Sequence, residues 1–535
     1  MNVLLPNAIK EFTPQQEYQI HVFYADSLFQ NQRYSQAENI YKKALDLRKA
    51  ISRNKKKTQS LTSTECGTET DLKYQLYLCA KKRQDYRNAL HILESIPQRQ
   101  RSAKINLALG EMYHREKSDS NATACYKEVL KENPLAFQVI IILIKLNVKA
   151  KEIINIVMNV PNAPKIDWLP TWITAKSMLY SPDTSQAVNL FKQLLSKPCF
   201  SESPEIMSSL GQALYYNGDY KKALPVFKKA FSANNNMTYS GMDVYAACLA
   251  KENQVKELEK WANKLLPICE AGELSPEPWI ILGYYCFQTN KKEAKAIYFA
   301  QKACFLSENS TEALLLKGMI RMEARNHIEA IGIFTEASQS APYRFEAIKS
   351  LAEAHMTDNR KAQAIATANS AFRIFGPTPR TLTLFSSVLL AEPEKPSNKK
   401  NAKTSLEKAV RLDSGHLPAV YLLANLYIEE KNIDKAIEVL TKALESESNN
   451  KLHRMLGDCY TEKNDHDKAL HHHNIAQKLD VNYRSSSEAS QRLEQQSSRT
   501  GNIESSLELD EEPQETDNEV DEDETDNNIW SDTES

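Results

Sequence analysis

Along the chain an alanine is repeatedly followed seven residues later by a second alanine, and eight such pairs mark a repeat. The pairs are Ala37/Ala44, Ala223/Ala230, Ala296/Ala303, Ala330/Ala337, Ala364/Ala371, Ala402/Ala409, Ala436/Ala443 and Ala469/Ala476, and an aromatic or aliphatic residue stands inside each. From Ala296 onward the first alanines lie 34, 34, 38, 34 and 33 residues apart. Looser copies begin at Ala89, Ala122, Ala187 and Leu258. A second amphipathic stretch precedes each pair, as in Leu456-Gly457-x-x-Tyr460 before Ala469 and Leu423-Ala424-x-x-Tyr427 before Ala436. Residues three and four apart share one helix face. The unit is therefore two helices, brought close by small residues and filled between by large ones. One such unit cannot bury both of its faces, so successive units must stack.

This is the tetratricopeptide pattern. It predicts an all-α, right-handed superhelical solenoid of about 13 repeats with a concave groove. Only 13 glycines occur in 535 residues, too few for folds built on glycine-rich phosphate cradles. By regularity the chain reads as N-terminal repeats over 1–135, less regular repeats over 136–290, regular repeats over 291–480 and a tail over 481–535. Ser52–Thr70 is basic and then Ser/Thr-rich, and reads as a disordered insert within the first part. Ala391–Asn401 reads as a shorter insertion. After Arg499 there is no Lys or Arg, but 15 Asp or Glu stand between Glu504 and Glu534. Residues 1–500 thus carry +13 against −15 in the tail, for a total of −2. The near-neutral total argues against a protein that coats nucleic acid. The acidic tail lacks the apolar area needed to offset ordering and is expected to stay unfolded.

Little in the sequence points to chemistry. The nine cysteines are dispersed and form no C-x-x-C pair, a usage that reads as reduced thiols and places the chain in the nucleus or cytoplasm. The strongly apolar run Val139–Ile144 stops at Lys145, far short of the ~20 residues a membrane span needs. Met1–Phe12 does not read as a secretory leader. No phosphate-loop, nucleophile-elbow or zinc-protease motif is present, so no catalytic residue and no cofactor is expected. His466, His471, His472 and His473 form the one candidate metal cluster. Successive histidines on a helix point apart, and His473 takes the core place between Ala469 and Ala476, so metal is not expected there either. Asn425, Lys451 and Arg454 fall where repeats of this kind face a groove. Leu422 and Met455 stand where a clamp for a peptide carboxylate needs polar side chains. Thr13-Pro14, Ser181-Pro182, Ser203-Pro204, Ser275-Pro276 and Thr378-Pro379 fit proline-directed kinases, although proline is also expected at repeat junctions.

Longer words in the sequence are more specific than the repeat. Tyr24-Ala25-Asp26-Ser27-Leu28-Phe29, Ile96-Pro97-Gln98-Arg99-Gln100-Arg101 and Tyr126-Lys127-Glu128-Val129-Leu130 come first. They are followed by Asp167-Trp168-Leu169, Gly241-Met242-Asp243-Val244-Tyr245, Glu277-Pro278-Trp279, Ala313-Leu314-Leu315-Leu316-Lys317-Gly318 and Leu452-His453-Arg454-Met455-Leu456-Gly457-Asp458. In this order, over about residues 1–480, the chain resembles the subunit 7 family of the anaphase-promoting complex (cyclosome). The resemblance implies a non-catalytic scaffold in a multi-subunit ubiquitin ligase of the cell cycle. It implies a V-shaped homodimer formed through the N-terminal repeats, stacking with other repeat subunits, chiefly subunit 3, and support for activator and substrate recruitment. Within the N-terminal part, Tyr18, Tyr24, Leu28, Phe29, Tyr34 and Tyr41 are the expected dimer residues, since Tyr and Phe bury large area with few rotors. Two other classes compete with the scaffold. A peptide-binding co-chaperone or adaptor would need a complete polar clamp. A repeat-containing enzyme would need an α/β half with glycine-rich turns, and no segment has that character.

Overall fold

The computed structural model describes residues 13–55, 68–160, 166–232, 239–272, 275–289, 293–307, 310–391 and 396–479. Local turn chemistry sets the repeat before packing does. Gln32, Gln84, Lys117, Asn147, Asn253, Arg325, Asn359, Lys431 and Asn464 all have φ between 52° and 62°. Each lies in the short turn that joins the two helices of one pair. At the same place in the sixth pair stands Gly218, with φ 96°. The left-handed residue lets the next amide close back on the first helix, as in Arg33 N to Leu28 O at 2.9 Å and Asn432 N to Tyr427 O at 2.8 Å. These bonds satisfy carbonyls that the helix end would otherwise leave open. Starts are equally local. Thr13, Ser203, Ser275 and Thr378 are N-caps with proline directly after them. Proline's fixed φ and missing N–H suit that position, which gives four of the five Ser/Thr-Pro dipeptides a structural role.

Among the described residues there are 26 α-helices and no strand. They form thirteen consecutive pairs, from Pro14–Gln30 with Tyr34–Lys55 to Asn450–Glu462 with His466–Leu479. The repeat-packing alanines Ala296, Ala303, Ala330, Ala337, Ala364, Ala371, Ala436, Ala443, Ala469 and Ala476 are all buried, as is Leu456. Close approach explains the small residues. A Cβ on Gly318 would meet the Phe334 ring at 2.3 Å, and one on Gly457 would meet the His473 ring at 2.6 Å. Tyr460 differs from its expected place in the packing. It is only half-buried and lies flat on His472, with centroids 5.5 Å apart.

The chain divides into two compact units, Met1–Lys408 and Ala409–Ser535. The division falls inside the helix Pro396–Leu412. Two insertions are shorter than their composition suggests. The helix Tyr34–Lys55 runs into the segment read as Ser52–Thr70, and Thr68 caps the helix Glu69–Lys82 through a reciprocal bond with Asp71. Likewise the helix Pro396–Leu412 begins inside Ala391–Asn401. Lys and Arg are good helix formers, and basic composition alone does not end a helix. Residues 56–67 and the tail from 480 onward lie outside the described residues. No described helix is long and apolar enough to cross a membrane.

Candidate functional site

Three surfaces were candidates, and the structure treats each differently. In the first helix pair Tyr18, Leu28 and Tyr41 are buried with Ala25, Ala37 and Ala44 in the chain's own core. The Tyr41 hydroxyl donates to the Asp26 carboxylate. These three side chains are therefore corrected from interface candidates to core residues. An amphipathic helix spends its apolar face on its own partner before it offers any to another chain. Tyr24, Phe29 and Tyr34 are half-buried, and the Phe29 and Tyr34 rings meet edge to face at 5.3 Å. Phe23, which the sequence reading did not single out, is 66% exposed. It falls five positions after Tyr18, off the core face, a place that counting helical periods identifies.

The second surface is the inner face of the central pairs in the first unit. The sequence predicts an open groove, but here the chain fills it with its own side chains. The second residue of each first helix supplies a ladder: Glu205, Asp243, Glu277, Glu312, Glu346 and then Arg380. Their spacings of 38, 34, 35, 34 and 34 follow the repeat. Arg344 pairs with Glu312, and its Nε lies 3.6 Å from Glu346; all three are nearly sealed from solvent. The guanidinium of Arg344 also covers the Tyr216 ring at 4.1 Å. Arg380 Nη2 contacts Glu346 at 2.6 Å and Tyr220 OH at 3.0 Å, and its Nη1 donates to the Tyr216 carbonyl at 2.8 Å. Tyr284 OH reaches Glu312 at 3.5 Å, and Lys251 Nζ meets Tyr220 OH at 3.0 Å. The rings of Tyr180 and Tyr216 pack on Tyr343 at 5.3 and 6.3 Å. Thus residues 180, 216 and 220 touch residues 343, 346 and 380, more than 120 positions away in the chain. Burial alone would raise Glu346, but Arg380, then Lys251 and Arg344, override it and hold the carboxyl at about 2. The face is a charge-matched interior. An extended peptide entering between Lys176 and Arg380 would have to displace these contacts.

The third surface lies in the last two pairs. Asn425 and Lys451 are exposed and Arg454 is half-buried. Lys451 lies over the Tyr421 ring at 4.3 Å, and Tyr421 OH meets Asn449 at 3.1 Å. Met455 is buried, which removes one of the places a carboxylate clamp would use. Of the four histidines, His473 is buried against Gly457, with Nε2 3.8 Å from Asp458. His472 turns to His453, Nδ1 to Nδ1 at 3.0 Å, and His453 Nε2 meets Ser448 Oγ at 3.0 Å. One of the two facing nitrogens must donate and the other accept. Among the described residues no group of three or more His, Cys, Asp or Glu is placed to hold a metal ion. Burial pushes the thiols of Cys79 and Cys248 up to about 12 and that of Cys459 up to about 11, the opposite of what a nucleophile needs.

Known proteins match this architecture. Family models for the tetratricopeptide repeat match residues 18–51, 175–236 and 400–456. Anaphase-promoting complex subunit 7 of Homo sapiens is 33% identical over 497 residues, covering 91% of this chain and 86% of the relative. The protein of the same name in Arabidopsis thaliana is 23% identical, covering 92% and 89%. In fold, the chain is similar to a chain of the APC/C hetero-tetramer Cut9-Hcn1, with TM-score 0.54 and 16% identity, covering 92% of this chain and 99% of that one. With tandem helix pairs along the whole described length and a relative one-third identical over nine-tenths of it, the chain belongs to the anaphase-promoting complex subunit 7 family.

Proposed function

We propose that this chain is a non-catalytic scaffold of an anaphase-promoting complex, acting in mitotic progression in the nucleus and cytoplasm. Two copies dimerise through the first helix pairs. Each then stacks with other tetratricopeptide-repeat subunits, chiefly subunit 3, in an assembly that supports activator and substrate recruitment. The observation that carries this reading is the occupied inner face of the central pairs. With that face committed to intramolecular contacts, outer surfaces and helix ends are what remain for docking, and these suit subunit stacking rather than peptide capture. The buried thiols of Cys79, Cys248 and Cys459 and the charge-matched interior likewise support a scaffold reading.

Light scattering of the full chain tests the dimer. The expected mass is about twice 60.8 kDa. Phe23→Glu places a charge on an exposed side chain and leaves the buried core of the first pair intact. It is expected to weaken the dimer by roughly 100-fold or more, as loss of an aromatic interface anchor does. Deleting Met1–Ser52 should give a monomer outright. A dimeric mass for that deletion refutes the N-terminal assignment.

A further inference from the structure

We propose that Arg380 is a latch that closes the central turn of the first unit and sets its pitch. In five successive first helices the second residue is acidic, which suits a helix N-terminus; at the sixth it is Arg380. That single change of sign lets the eleventh helix pair hold the sixth and the tenth at once. The guanidinium joins the Tyr216 carbonyl and the Tyr220 hydroxyl, 164 and 160 residues away, to Glu346, 34 residues away. Its Cζ lies over the Phe345 ring, 4.2 Å from the centroid. Planar, five-donor geometry is what such a three-way contact requires, and lysine does not supply it.

Gly218 provides an independent observation. It occupies the turn position that is filled by Gln, Lys, Arg or Asn in nine other pairs. A Cβ there would meet Cδ and Nε of Arg380 at 3.1 Å and Cζ at 3.3 Å. The turn of the sixth pair is thus shaped to receive this side chain. Stacking between neighbours fixes only the small rotation of each repeat. A bond across five repeats fixes their sum.

Hydrogen exchange of the full chain tests the latch. In Arg380→Ala, amides of the helices Pro204–Asn217 and Phe345–Thr357 should exchange at least 10-fold faster. Those of Pro14–Gln30 and Asn450–Glu462 should not change. The radius of gyration by X-ray scattering should rise while helicity by circular dichroism stays constant. Arg380→Lys should give an intermediate selective increase. Unchanged protection overturns the proposal. Protection lost evenly along the chain also overturns it, because Arg380 would then be one stabilising contact among many. Gly218→Ala supplies the second readout. Its effect has a backbone part, because φ 96° disfavours any side chain, and a contact part that should vanish in the Arg380→Ala background, so the total should shrink there. Equal effects in the two backgrounds would separate Gly218 from the latch and overturn it.

Discussion

Replacing Arg344 with alanine should destabilise the centre of the first unit by about 3–5 kcal/mol, the cost of leaving buried charge without its partner. Arg344 faces Glu312 and Glu346 and covers Tyr216, and neither carboxylate has a route to bulk water. Local exchange of amides in Thr311–Glu323 and Phe345–Thr357 should accelerate accordingly. The sign of the effect depends on what is left behind. The double change Arg344→Met, Glu312→Gln removes that charge pair together and leaves Glu346 to Arg380. It should recover much of the loss, since well-packed neutral groups often replace buried ion pairs at little cost. An Arg344→Ala chain with unchanged protection in those two helices would mean that the inner face is solvated and open.

Acidification should loosen the last helix pair, and the direction follows from the histidines. Burial, with His453, His471 and His473 adding to it, brings His472 down from its ordinary value of 6.5 to about 4. Burial and His471 lower His453. Burial also lowers His473, with Asp458 opposing and Arg454 reinforcing. Well above pH 6.5 all three are neutral in folded and unfolded chains alike, and their packing is fully stabilising. As pH falls from 6.5 toward 4 the unfolded chain takes up protons that the folded one resists, so stability is lost through that window. His472 is half-buried, and after discounting for solvent the group contributes on the order of 2 kcal/mol by pH 4. Exchange in Asn450–Glu462 and His466–Leu479, corrected for its intrinsic pH dependence, should therefore rise between pH 6.5 and 5. His472→Gln should flatten that slope. A slope unaltered by the substitution would assign the acid sensitivity elsewhere.

Much of this fold is local and could be read in one dimension. Ala330, Ala337, Ala436 and Ala443 are fully buried between packed helices, where small residues let the helices approach whatever surrounds them. The turns were harder to see. Their left-handed residues are Gln, Lys, Arg and Asn rather than glycine, so the scarcity of glycine that signals helices also conceals where they end. The inner ladder from Glu205 to Arg380 has the repeat's own period, yet each acid alone reads as a helix-start residue. That Arg380 reaches Tyr216 depends on curvature summed over five repeats, which no local word encodes. Residue type alone does not separate core from interface at Tyr18, Leu28 and Tyr41, because large apolar side chains are wanted equally by both. Helical phase separates the two uses, and it leaves Phe23 outside.

Cross-linking mass spectrometry of the native assembly, with the chain labelled in two isotopic forms, tests the scaffold account most directly. Lys42 and Lys43, exposed on the second helix of the first pair, should link to the same segment of a second copy. Further links should join outer helix faces to other tetratricopeptide-repeat subunits. Links that run only within one copy at the first pair, or partner peptides that map between Tyr180 and Arg380 on the inner face, would contradict it.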